Sequence, residues 1–275
     1  MTKREYDNEK VIFSRGVVTA SMFDLNRDFL LFFKNGFIKL RKSKLKVLDV
    51  GCGAGALTEA LKKVFPGFSF YACDISHEAI VEARKTNPNI RFVVGDATKL
   101  PFNSGTFDVV MMNSVFDHTE SPRKAVSEAY RVLKKGGTFL VTDPVEREIT
   151  NLHGLLTKYV KGYRKHRKDR LGHNYAFTKK SLSNLLENGG FRIESIVFDW
   201  KYFAQIVDVF YYPLLQILGQ SQEFNFGNIA RGKPSLKQKL AKYTRMGLYF
   251  LQNLESILTK SFPFGFFAYI EAYKK

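Results

Sequence analysis

Three glycines spaced by single residues, Gly51, Gly53 and Gly55, follow the apolar run Val47-Leu48-Asp49-Val50 and precede a helix-forming stretch. A backbone that leaves a strand, turns tightly and passes close to a ligand needs glycine at such positions. Gly51-x-Gly53-x-x-Ala56 also satisfies the relaxed fingerprint of dinucleotide sites. Asp49 separates the readings. A carboxylate two residues before the first glycine repels a pyrophosphate lying over the loop and attracts a cation. The chemistry this loop suits is therefore a ligand with positive charge and no phosphate.

Two more acids end later apolar runs. Asp74 lies 19 residues after Gly55, where an acidic side chain accepts both hydroxyls of a ribose. Its alternative role is an N-cap for the helix expected from Ser76. Asp96, in Val93-Val94-Gly95-Asp96-Ala97-Thr98, is placed for an adenine amino group. Three acids at successive strand ends fit S-adenosylmethionine, an adenosine that carries an ammonium and a sulfonium.

The elements that must hold these acids alternate in type. Short runs rich in Val, Ile and Phe fall at 45–50, 68–73, 90–95, 107–112, 138–142 and 191–199, and they read as strands covered on both faces. Helices are expected at 56–65, 77–86, 122–134 and 179–188. Their starts are Ser76 and Ser121-Pro122, and their stops Gly136-Gly137 and Gly189-Gly190. The pattern predicts an α/β fold with a mostly parallel sheet. Residues 1–44 read as N-terminal helices and 45–200 as the core. Residues 201–262 read as a helical, aromatic insertion, and 263–275 as the closing strand. The basic stretch 144–178 breaks the alternation without an assigned element. Tyr202–Gly219 is apolar but is interrupted by Asp208 and Pro213, and it falls short of the ~20 residues that cross a bilayer.

The chain has 275 residues, 43 Lys and Arg against 26 Asp and Glu, and a formal charge of +17. Residues 151–182 hold nine basic residues and one acid. Such a field attracts anionic partners, or simply forms a solvated surface. The charged start and two cysteines, Cys52 and Cys73, point to a reducing cytoplasm without a disulfide framework. No Cys/His cluster has metal-ligand spacing, and no metal ligand is assigned.

Several stretches together resemble the class I S-adenosylmethionine-dependent methyltransferases, in particular the small-molecule branch with the ubiquinone and menaquinone biosynthesis enzymes (methyltransferase type 11). They are Val47–Gly55, Tyr71-Ala-Cys-Asp-Ile-Ser76, Gly95-Asp-Ala-Thr-Lys-Leu-Pro-Phe102, Phe107–His118, Arg131–Thr142 and Phe177–Phe191. The resemblance covers 45–200 in order. It implies a Rossmann-like, seven-stranded sheet with an antiparallel last strand. It also implies that Asp49, Gly51, Cys52, Gly53 and Gly55 hold the methionine part of the cofactor, Asp74 and Ile75 the ribose, and Asp96 and Ala97 the adenine. Asn113 would border the methyl group.

The acceptor is less legible. Methyl transfer needs alignment and exclusion of water, and a base where the accepting atom must lose a proton. Asn113-Ser-Val-Phe116 stands where relatives that methylate base amines carry Asn/Asp-Pro-Pro-Tyr/Phe, which favours O- or C-methylation. His118, in Asp117-His-Thr-Glu120, and His173, in Gly172-His-Asn-Tyr175, are the candidate catalytic residues; each is also readable as a structural histidine. Asp117, His118 and Glu120 match only in part a Glu/His pair linked to a divalent metal in some quinone-pathway relatives, so the need for a metal stays open. His153 and His166 read as surface residues. Phe203, Phe210, Tyr211 and Tyr212 either line a pocket for a hydrophobic acceptor or glue the insertion to the sheet. With the basic stretch they suggest peripheral contact with an anionic membrane. Two alternatives stay open: an RNA methyltransferase that grips phosphates with its basic half, and a non-catalytic protein that keeps the cofactor fold.

Overall fold

Val47 and Leu48 are fully buried and Val50 nearly so, which a strand achieves only with apolar layers on both faces. The computed structural model describes residues 32–33, 35–37, 40, 44–165, 172–199 and 267–275. Its elements are β1 (Lys46–Val50), α1 (Ala56–Val64), β2 (Ser69–Asp74), α2 (His77–Thr86), β3 (Arg91–Val94) and β4 (Phe107–Asn113). They continue with α3 (Pro122–Val132), β5 (Leu133–Pro144), α4 (Leu152–Tyr159), α5 (Lys179–Asn188), β6 (Phe191–Asp199) and β7 (Phe267–Lys274).

The strands form one seven-stranded sheet in the order β3-β2-β1-β4-β5-β7-β6. β1 to β5 pair in parallel, while β7 runs antiparallel to both β5 and β6, as expected of the closing strand. Successive side chains point to opposite faces. Leu48, Val50, Val110 and Met112 therefore pack with Ala125, Val126 and Ala129 of α3 and Leu182 and Leu186 of α5. Val47, Val109 and Met111 pack on the other side with Leu61 of α1, Ile80 and Ala83 of α2, and Phe33 and Phe37. Strand order reverses between β1 and β4, and the carboxyl ends of strands at such a switch point form the crevice where open α/β sheets bind ligands.

The helix signals hold at most ends. Ser76 caps α2 by accepting from the Ala79 amide, and Gly189 ends α5. Asp74 is thus not the cap. Gly136 and Gly137 do not stop a helix: α3 ends at Val132, and the glycines lie within β5, where its register against β4 shifts between Phe107 and Val109. The stretch 144–178 contains α4, capped by Asn151 accepting from Gly154. Eight residues with a glycine among them are too short for helical periodicity to register in the sequence. His153 is buried, not on the surface, with its Nδ1 2.7 Å from the Tyr163 hydroxyl. The aromatic insertion, His166 and most of 1–44 lie outside the described residues. No helix among the described residues is long and apolar enough to cross a membrane.

Candidate active site

The glycine loop leaves the carboxyl end of β1 and is stitched to β2. The amides of Gly51 and Cys52 donate to the Cys73 carbonyl at 2.8 and 3.1 Å, Gly53 donates to Asp74 Oδ2 at 2.8 Å, and Gly55 donates to the Cys52 carbonyl at 2.9 Å. These N–H groups are spent inside the protein, so the loop does not present them to a phosphate as a dinucleotide loop would. Gly51 has φ 73°, and a Cβ there would come within 2.6 Å of Val115 Cγ2. At Gly53, φ is 53° and nothing lies within 4 Å of a Cβ. The first glycine lets the β4 loop pack against the turn; the second keeps the space in front of it open.

Asp49 is 1% exposed and accepts from the Thr58 hydroxyl of α1 at 2.6 Å. Burial pushes its carboxyl from 3.8 up to about 7; the nearby Asp74 adds to the rise and the Thr58 hydrogen bond opposes it. The same burial and the same two acids push up the thiols of Cys52 and Cys73, both of which are free. Surroundings that push up Asp49 and both thiols are ones in which a cation is favoured. Asp74, also buried, accepts from Gly53 with Oδ2 and from the Ser76 amide with Oδ1 at 2.9 Å. Each carboxylate oxygen has two lone pairs, so both retain an acceptor site for a ribose diol. Ile75 follows at the same edge. Asp96 lies two residues beyond β3, is exposed, and holds a turn through Thr98 with Oδ1; Ala97 is half-buried beside it. Asn113 ends β4 and accepts from the Thr142 hydroxyl with its side-chain oxygen. These residues fit S-adenosylmethionine, which when bound supplies an electrophilic methyl group on a sulfonium.

The Asp49 shift predicts a measurable linkage. Its folded value lies above its unfolded one, so between about pH 4 and 7 the folded protein binds the extra proton, and unliganded stability falls as pH rises through that window. A ligand ammonium beside the carboxylate favours the ionised form, so binding below pH 7 expels the proton. Affinity for S-adenosylmethionine is expected to tighten from about pH 5.5 to 7, by up to about tenfold per unit. Calorimetry in buffers of different ionisation enthalpy should read the released proton, and Asp49→Asn should abolish both effects. A flat affinity in the unaltered protein would remove Asp49 from the cofactor site.

Beyond β4 the chain turns at Ser114, whose φ of 50° is left-handed although it is not glycine. Strain of this kind costs about 1–3 kcal/mol and clusters where a backbone is held for a purpose. Here it swings Val115 to His118 towards the glycine loop. Asp143, at the end of β5, clamps that turn by accepting from the Phe116 and Asp117 amides at 3.2 and 3.1 Å. Burial, then the charge of Asp117, holds the Asp143 carboxyl well above the usual carboxylate range. The segment 172–178 docks on the same turn. Tyr175 donates its amide to the Asp117 carbonyl at 3.1 Å, and Asn174 donates to the His118 carbonyl at 3.0 Å.

This docking brings His118 and His173 together, with ring centroids 4.9 Å apart and planes at 90°. Asp117 Oδ2 stands 3.7 Å from His118 Nε2 and 3.4 Å from His173 Nε2, and Glu146 Oε1 stands 2.6 Å from His173 Nδ1. Arg164 bonds the carbonyls of His173 and Asn174 and comes within 3.9 Å of Glu146. Sequence reasoning named both histidines but not Asp117, Asp143 or Glu146 as buried partners. All three look like ordinary loop and strand-end acids until the fold buries them. Glu120, also in the His118 motif, is exposed.

A family model described as "Methyltransferase domain" matches residues 48–141. The ubiquinone/menaquinone biosynthesis C-methyltransferase of Cereibacter sphaeroides is 32% identical over 155 residues, which is 50% of this chain and 61% of that protein. The demethylmenaquinone methyltransferase of Chlorobaculum tepidum is 37% identical over 100 residues, 36% of this chain and 41% of that protein. The chain thus spans 61% and 41% of the length of these two relatives. Among solved structures, a phosphoethanolamine N-methyltransferase of Haemonchus contortus in complex with S-adenosyl-L-methionine superposes with TM-score 0.60 at 18% identity, covering 100% of this chain and 60% of that one. The [4+2]-cyclase SpnF superposes with TM-score 0.56 at 18% identity, covering 89% of this chain and 79% of that one. At such identities the likeness concerns the fold alone, and a cyclase among the neighbours shows that the fold does not dictate the reaction. Residues 48–141 match the methyltransferase domain family, and the seven-stranded sheet that carries them has the fold of solved S-adenosylmethionine-dependent methyltransferases.

Proposed function

We propose that this protein transfers the methyl group of S-adenosylmethionine to a small, hydrophobic, quinone-like acceptor at oxygen or carbon. The observation that carries the reading is the pairing of His118, on the turn that packs Val115 against the glycine loop, with His173 of the segment docked on that turn, and with buried carboxylates beside them. An acceptor that loses a proton on methylation, such as a phenol or an activated ring carbon, needs such groups; an amine already holding a lone pair does not. The curated relatives named above are quinone-pathway methyltransferases, which agrees with that acceptor class.

In this reading Asp49, Gly51, Cys52, Gly53 and Gly55 cradle the methionine part, Asp74 and Ile75 the ribose, Asp96 and Ala97 the adenine, and Asn113 borders the methyl. His118 and His173 handle the proton of the acceptor. Peripheral contact with an anionic membrane fits the exposed Ile149, Leu155, Tyr159 and Val160 beside the exposed Lys158, Lys161 and Lys165. Cosedimentation with anionic vesicles at low salt tests that part, and no binding there ends it. A labelled-methyl assay against quinone, lipid and RNA fractions tests the whole. Label in the quinone fraction is the expected result, and label confined to RNA overturns the acceptor class.

A further inference from the structure

We propose that Asp117, His118 and His173 bind a divalent metal ion of the zinc type, with Glu146 as the carboxylate that orients His173. One potential ligand atom from each of the three lies within 4.8 Å of the others. Asp117 is 1% exposed, and neither of its buried carboxylate oxygens accepts a hydrogen bond. An ionised carboxylate so placed costs several kcal/mol unless a cation meets it.

The spacing says which kind of cation. Zinc–nitrogen and zinc–oxygen bonds of about 2.0–2.1 Å set tetrahedral ligand atoms about 3.4 Å apart. Asp117 Oδ2 lies 3.4 Å from His173 Nε2 and 3.7 Å from His118 Nε2. Those separations are long or misaligned for hydrogen bonds, yet they are close to two edges of a zinc tetrahedron, and the third lies within 4.8 Å. His173 also shows the outer partner that metal-bound histidines use. Its Nδ1 meets Glu146 Oε1 at 2.6 Å, which leaves Nε2 on the side of Asp117 Oδ2, 3.4 Å away. Glu146 is itself buried, with Arg164 at 3.9 Å.

Three protein ligands leave a fourth tetrahedral position, the pattern of reactive rather than structural zinc sites. An acceptor hydroxyl bound there loses its proton more readily, as metal-bound water does. This deepens the proposed function by giving both histidines one task, but its test reads metal and not methyl transfer, so the two can fail separately. Residues 117, 118 and 173 come from two segments that only the docking of 172–178 on the β4 turn unites, which is why ligand spacing in the sequence does not reveal the set.

The full chain, stripped with chelator and titrated with zinc chloride, should bind about one equivalent and unfold at higher temperature. Asp117→Asn and His173→Gln should weaken zinc by at least about 100-fold, and Glu146→Gln by roughly 10–100-fold, with affinity for S-adenosylmethionine retained as the sign of an intact fold. If the Asp117 variant does not fold, His118→Ala, at a side chain 20% exposed, must show the same loss. Cobalt(II) in place of zinc should give the intense visible bands of a tetrahedral site, absent in the His118 variant. Failure of the unaltered chain to hold zinc, or equal zinc affinity in the variants, overturns the proposal.

Discussion

Replacing His118 with Ala is expected to slow methyl transfer by about 10²- to 10⁴-fold, the usual contribution of a positioned proton-handling group. The loss should fall on kcat, with affinity for S-adenosylmethionine changed by less than about threefold. The reason is local. The glycine loop bonds to β2 through Cys73 and Asp74 and uses no atom of His118. The fold should tolerate the change, because Asn174 holds the His118 carbonyl and not its ring. Single-turnover transfer of labelled methyl, with cofactor binding measured in parallel, separates the two quantities. A drop in kcat below about threefold would remove His118 from the reaction. His118→Gln should restore little, since an amide neither takes up a proton at neutral pH nor ligates metal well.

Asp74→Ala is expected to weaken S-adenosylmethionine by at least about tenfold, or 1.4 kcal/mol. This carboxylate does two jobs. It accepts from Gly53 and Ser76, which shapes the loop and the start of α2, and in the proposed site the remaining lone pair on each oxygen accepts from the ribose. Removing it orphans two backbone donors at about 1–3 kcal/mol each where water does not replace it, so thermal stability should fall as well. The two losses are separable: affinity is measured well below the unfolding transition, and Asp74→Asn keeps the size while replacing one acceptor oxygen with a donor. Unchanged affinity in both variants refutes the cofactor site assigned here.

The glycine turn and the acidic edge of the proposed cofactor site were legible in the sequence because they sit where short-range rules act. Gly51, Gly53 and Gly55 mark a strand-to-helix turn, and Asp49, Asp74 and Asp96 mark successive strand ends. A parallel sheet delivers successive strand ends to one edge without further instruction. The apolar runs also predicted the strands within a few residues, since both faces are covered and every position counts towards the pattern. The glycines at 136–137 were misread for the same local reason: a pair of glycines after a helix signals a stop, and a strand irregularity carries the same letters.

The acceptor side was not legible in that way. His118 and His173 drew notice as residue types, but nothing local pairs positions 118 and 173, or adds Asp117, Asp143 and Glu146 as buried partners. Their environment depends on the left-handed turn at Ser114, the Asp143 clamp and the docking of 172–178, which are long-range hydrogen bonds with no period to read. The +17 charge was equally silent about its use: Arg164, counted with the basic surface, turns inward to the carbonyls of His173 and Asn174. The sequence by itself determined the sheet, the glycine turn and the acidic edge that suits a cationic nucleoside, because these follow from neighbours along one strand or turn. Only the tertiary structure decided that two histidines and an unsatisfied aspartate converge, because burial and separation in space are properties of atoms brought together from distant segments.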